Sequence, residues 1–215
     1  MNPVVVFVLG GPGAGKGTQC SKIAEHYSYT HLSAGELLRA ECRRANSEFS
    51  HIINSCFKRG ELAPVEVTIT LLRRAMEQTM MACKTKFYFL IDGFPPDKEN
   101  LKGWMKVMKN KADIKFILFL DCSNEVCVNR CLERGKTGGR DDDNKESLER
   151  RIQMYLNFTR PIIERFEKLG KVHTIDASRS VNEVRLQWVK FTLMFPKSSR
   201  CSYPSSNFKI LQSAV

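Results

Sequence analysis

No stretch of this chain is long and apolar enough to cross a bilayer. The longest apolar runs, Val4–Leu9 and Phe116–Leu120, fall far short of the roughly 20 residues that a spanning helix needs. The first run has no basic segment before it, and a glycine-rich turn follows where a secretory leader would show a small-residue cleavage site. Val4–Leu9 therefore reads as a buried strand of a cytoplasmic protein, with nuclear entry left open by size and charge. None of the eight cysteines stands in a C-x-x-C pair, which argues against a zinc ribbon. Cys127 and Cys131 stand four apart on an expected helix but lack a second ligand pair. The bland reading is free, mostly buried thiols in a reducing compartment. Internal repeats are absent, so a solenoid is excluded. Acid is scarce relative to base: 23 Asp and Glu against 34 Lys and Arg, a net charge of +11. That balance admits nucleic acid, an anionic surface or polyanionic small molecules as partners. No RNA- or DNA-binding motif accompanies it, so no nucleic acid and no membrane partner is expected.

What is present is an alternation of strands and helices, the pattern of an α/β fold with a parallel sheet covered on both faces. Strands are expected at Val4–Leu9, Thr30–Leu32, Phe87–Ile91, Phe116–Leu120 and Val172–Ile175. Helices are expected at Gly15–Tyr27, Ala34–Arg44, Glu48–Arg59, Pro64–Met81, Lys98–Lys109, Glu125–Arg134, Lys145–Leu169 and Val181–Phe195. Gly60 reads as a helix stop, Pro161 as a kink, and Gly135–Asp143 as a loop. Residues 196–215 are Ser-rich, carry Lys197, Arg200 and Lys209, contain no acid, and read as a flexible basic tail.

The segment Gly10-Gly11-Pro12-Gly13-Ala14-Gly15-Lys16-Gly17-Thr18 joins an apolar strand to a helix. In that context glycines let successive N–H groups turn toward one anion, and the helix start adds its positive dipole end. Lys16 can then reach the β- and γ-phosphates of a nucleotide. Gly17 follows the lysine where the usual phosphate-loop motif has Ser or Thr, and Thr18 comes one place later.

That G-x-P-G-x-G-K-G-T form resembles the adenylate kinase superfamily of nucleoside monophosphate kinases. Four further segments carry the same resemblance in order. They are Leu32-Ser33-Ala34-Gly35-Glu36-Leu37-Leu38-Arg39, Leu90-Ile91-Asp92-Gly93-Phe94-Pro95, Arg130-Cys131-Leu132-Glu133-Arg134-Gly135 with Gly139-Arg140-Asp141-Asp142, and Arg150-Arg151-Ile152. The match is nearest to the UMP-CMP kinases of that superfamily and covers about residues 1–195. It implies a P-loop three-layer fold with a five-stranded parallel sheet core. It also implies a mobile monophosphate-binding arm near 33–63 and a short lid near 133–143, too short for the zinc cage of some relatives. Short-lid relatives resemble monomers.

By resemblance, Gly13, Ala14, Gly15, Lys16, Gly17 and Thr18 hold the phosphates of ATP, with Arg134 on the same side and Arg179 near the adenine. Arg39, Arg140 and Arg151 clamp the acceptor phosphate and the transferring group. Asp92 orients waters on the Mg²⁺ that accompanies ATP. Glu61, Leu62, Ala63, Gly93, Phe94 and Pro95 line the monophosphate site, and Pro96 stands among them. Guanidinium forks suit phosphate because they bind bidentately and stay charged. Adenylate kinases usually have Thr where Ala34 stands and Gln where Asn100 stands; here both resemble UMP-CMP kinases, so UMP or CMP is the expected acceptor and AMP the alternative. Asn offers a donor and an acceptor to a pyrimidine edge.

The family motif D-G-F-P-R ends in Pro96 rather than Arg. The missing arginine normally contacts the acceptor phosphate. Lys98, two residues on, lacks the fork and promises partial replacement at best. Two readings follow: an active pyrimidine monophosphate kinase, and a nucleotide-binding but catalytically impaired relative.

Overall fold

The structure, a computed structural model, describes residues 2–136 and 144–189. Five parallel strands form one sheet: β1 (Val4–Leu9), β2 (Tyr29–Ser33), β3 (Tyr88–Asp92), β4 (Asp113–Asp121) and β5 (Val172–Asp176), in the order β2-β3-β1-β4-β5. This is the expected α/β core. The chain leaves β1 toward one edge of the sheet and later crosses to the other, so the crevice beyond the end of β1 lies where strand order reverses. Open α/β sheets place ligands there.

Alternation along β1 explains its unbroken apolar run. Val5, Phe7 and Leu9 join one buried cluster, while Val6 and Val8 join another on the opposite face. The first cluster packs under α4 (Val65–Ala82) and α5 (Lys98–Met108), with Phe7, Phe94 and Trp104 in mutual ring contact. The second packs under α1 (Lys16–His26), through Cys20 and Ile23, and under α6 (Asn124–Lys136) and α9 (Val181–Val189). Two short helices, α2 (Ala34–Arg43) and α3 (Ser50–Arg59), share a small core with α4 through Leu38, Ile53, Ala63, Val67 and Leu71. Ser33 caps α2, and Gly60 ends α3 with φ +70°. This is the segment expected to form the arm.

Three expectations change. Gly135, read as the start of a loop, continues α6 as far as Lys136; one glycine costs a helix only about 1 kcal/mol. The long helix at 145–169 is divided into α7 (Lys145–Met154), a π turn (Tyr155–Thr159) and α8 (Arg160–Glu167). Pro161 sits in the first turn of α8, so the backbone disturbance lies upstream of it: Arg160 N–H reaches back five residues to Tyr155 O. β4 begins three residues early, because Asp113 and Ile114 pair with Val4 and Val5 of β1, Lys115 forming a bulge, while the three side chains alternate exposed and half-buried. The rest of the expected lid (137–143) and the tail (196–215) lie outside the described residues.

Candidate active site

The crevice beyond β1 and β3 opens into a cavity of about 1520 Å³. A drug-sized ligand needs about 300–1,000 Å³, so there is room for more than one. Residues 10–18 form one wall. Gly13 has φ +88°, and a Cβ there would stand 2.2 Å from Cys127 O; at Gly10 it would stand 2.6 Å from Leu120 O. Glycine is required at both positions because α6 and β4 back directly onto the loop. Lys16 Nζ donates to Gly10 O and Gly11 O, each at 2.9 Å. Burial lowers its pKa, Asp92 acts against that, and Arg151 reinforces it. The ammonium is thus held over the loop by its own carbonyls, at the point where a phosphate would meet it.

Asp92 ends β3 and is 7% exposed. Its Oδ2 lies 3.3 Å from His31 Nε2 and 3.6 Å from where a Gly17 Cβ would stand. Asp92 thus lies buried on the cavity wall directly beside Gly17.

The facing wall comes from α2, α3 and the segment 61–63 that follows Gly60. Ser33 Oγ accepts from Glu36 N, and Glu36 Oε1 in turn accepts from Arg39 Nη2 at 2.8 Å. Arg39 is aimed by its own helix, and its buried Nε has no hydrogen-bond partner among the described residues. The side chain as a whole is half-buried on the cavity wall, and a buried donor left open beside it is the mark expected where an anion completes the site. Asp97 caps α5, accepting from Asn100 N at 2.7 Å and Asn100 Nδ2 at 3.0 Å, which fixes Asn100 at 2% exposure beside the cavity. Glu61, Leu62, Ala63, Gly93, Phe94 and Pro95 line the same space. So do Arg134, Arg151 and Arg179. Asn100 is thus no surface residue. Arg140 lies outside the described residues.

Pro96 also lines the cavity and offers it no side-chain donor; its carbonyl accepts from Thr159 Oγ1 at 2.7 Å. Lys98 does not stand in: it is exposed and outside the cavity wall. The expectation of partial replacement by Lys98 is corrected on this ground, because the first turn of α5 carries its side chain to solvent.

Sequence reasoning gave no role to Arg130. Its guanidinium donates to Ala177 O (2.7 Å), Ser178 O (3.0 Å) and Arg179 O (3.1 Å), clamping the turn that presents Arg179. Arg179 is also held by Asp176, at 2.8 Å. Hydrogen bonds from Ser178 and Arg179 bring the Asp176 carboxyl down to about 2. Arg43, Lys58 and Arg150 are further cations on the cavity wall that the motifs did not single out.

The adenylate kinase family model matches residues 8–171. The chain belongs to the adenylate kinase family. Within it, the chain is 67% identical over 184 residues to a UMP-CMP kinase of Danio rerio, covering 86% of this chain and 94% of that one. It is 62% identical to a UMP-CMP kinase of Gallus gallus and 61% identical to one of Homo sapiens, with the same coverage. The adenylate kinase match begins inside β1 and ends just before β5, so it includes every described wall of the cavity except the turn after β5 and the start of α9.

Proposed function

We propose that this chain is a nucleoside monophosphate kinase, transferring the γ-phosphoryl group of ATP to UMP or CMP. The observation that carries the reading is one cavity with a phosphate loop on one wall and, on the other, the half-buried Arg39, whose Nε has no partner among the described residues. The volume suits two nucleotides placed phosphate to phosphate. The likeness to UMP-CMP kinases supports the pyrimidine acceptor, as do Ala34 and Asn100 on the cavity wall.

Phosphoryl transfer needs in-line placement and neutralised charge more than covalent help. The loop amides and Lys16 hold the donor. Arg39 and Arg151, with Arg140, hold the acceptor and meet charge that develops between the two. An acceptor phosphate oxygen attacks the γ-phosphorus, the bond to the β–γ bridging oxygen breaks, and ADP leaves. Arg134 and Arg179 serve the donor side, and closure of segments 33–63 and 133–143 excludes water. The Asp92 carboxylate on the cavity wall beside Gly17 fits Mg²⁺, which keeps most of its waters and takes few protein ligands. Bound with ATP, Mg²⁺ supplies further neutralisation of phosphate charge.

Pro96 favours a second reading, a nucleotide binder of low turnover, since neither Pro96 nor the exposed Lys98 supplies the missing cation. Coupled phosphotransfer assays across AMP, GMP, UMP and CMP decide between substrates. UMP or CMP is expected to be preferred, and a preference for AMP contradicts the assignment. Binding of ATP and UMP without turnover selects the second reading.

A further inference from the structure

Strand alternation and topology bring three unlike side chains together behind the phosphate loop. Leu90 of β3 faces α1, and Asp92, two residues on, shares that side; Leu32 of β2 faces the opposite layer, so His31 shares the α1 side too. α1 covers this face with the buried Cys20. The Cys20 thiol, a His31 ring nitrogen and an Asp92 carboxylate oxygen all lie within 4.8 Å of one another.

We propose that Cys20, His31 and Asp92 form a binding site for a borderline-soft divalent metal ion, Zn²⁺ being the best fit. A tetrahedral site with bonds of about 2.0 Å to nitrogen and oxygen has an N···O edge of about 3.3 Å. His31 Nε2 and Asp92 Oδ2 stand 3.3 Å apart. Edges to a thiolate sulfur are about 3.6 Å, so Cys20 needs at most a closure of about 1 Å. Sulfur and imidazole donors select Zn²⁺ over Mg²⁺, which prefers oxygen alone. Three protein ligands leave a fourth position for water or a phosphate oxygen. Asp92 lines the cavity, which gives the ion a way in. Entry exchanges the thiol proton for the metal and releases that proton to solvent. Lys16, close enough to feel the charges of Asp92 and Cys20, opposes a second cation and keeps the site weaker than a structural zinc site.

The consequence for catalysis rests on the phosphotransfer reading: an ion here takes Asp92 from the Mg²⁺ side, so Zn²⁺ inhibits. The binding claim stands without that reading and is tested without turnover. Co²⁺ is added to the full-length reduced protein without nucleotide. A thiolate-to-cobalt charge-transfer band in the near ultraviolet, with visible absorption of four-coordinate intensity, is expected, and one equivalent of Zn²⁺ displaces it. Cys20→Ser abolishes the band, and His31→Gln weakens binding by more than the roughly 10–100-fold seen for outer-shell partners. Zn²⁺ also raises the thermal midpoint of the wild type and not that of His31→Gln, which keeps the test informative should Cys20→Ser fail to fold. No charge-transfer band, or a band that survives in Cys20→Ser because the ion sits on Cys122, Cys127 or Cys131, overturns the proposal.

Discussion

The two walls of the cavity are made differently. The wall at residues 10–18 is built from backbone: glycines forced into place by Leu120 O and Cys127 O, and a lysine held by two loop carbonyls. The facing wall is built from side chains, each aimed by a local capping or ion-pair contact: Glu36 for Arg39 and Asp97 for Asn100. A backbone site changes little with substitution unless glycine is lost. A side-chain site can lose one member and keep its shape. Pro96 is such a loss, since its carbonyl still ties the loop to Thr159 while its side chain gives nothing to an acceptor phosphate.

The contrast breaks most sharply at Lys16. Lys16→Met is expected to lower turnover by about 10²–10³, the range seen when one charge-stabilising donor is removed, with the fold intact by circular dichroism. Steady-state kinetics with ATP and UMP checks it, and unchanged turnover would mean that the backbone wall does not serve the donor. Pro96→Arg sharpens the other side. Restoring a charge-assisted contact of at least about 2 kcal/mol is expected to raise kcat/KM by at least about 30-fold. No gain would mean that Arg43, Lys58 or Arg150 already supplies the charge.

Two smaller effects probe the supports. Glu41, 1% exposed, anchors the end of α2 through Arg44 and Ser47. Burial alone would raise its carboxyl, but those hydrogen bonds outweigh burial and leave it below the usual range. Its contribution is therefore full above the unfolded carboxyl value, near 4.3, and fades as pH falls through the folded value. Glu41→Gln is expected to destabilise by about 1–3 kcal/mol at pH 7, with wild type and variant converging toward pH 3 in urea melts. Trp188→Phe removes the buried bond from Nε1 to Gln19 Oε1 (2.9 Å) and is expected to cost about 1 kcal/mol in the same melts.

Much of the backbone wall was legible in the residues themselves. A continuous apolar run cannot be an exposed strand, and glycines with a lysine at that spacing have few other uses. β1 accordingly runs from Val4 to Leu9 as expected. Gly60 was legible as a helix stop and does end α3, whereas the cap that Ser33 makes on α2 was not foreseen. Other features left no trace. Arg130 acts on three carbonyls, and backbone acceptors carry no residue signature. The π turn joins α7, which packs on α6, to α8, which packs on β4 and β5, and periodicity does not encode that change of partner. His31 and Asp92 are brought together by sheet order and Cys20 by the packing of α1 over that face; sequence spacing of 11 and 61 residues could not associate them.

The central claim is that both walls are filled at once. Calorimetric titration of UMP into protein saturated with a non-hydrolysable ATP analogue and Mg²⁺ tests it directly. One UMP per chain, bound with the triphosphate still in place, is the expected result. Competition between the two ligands for a single position would contradict the account.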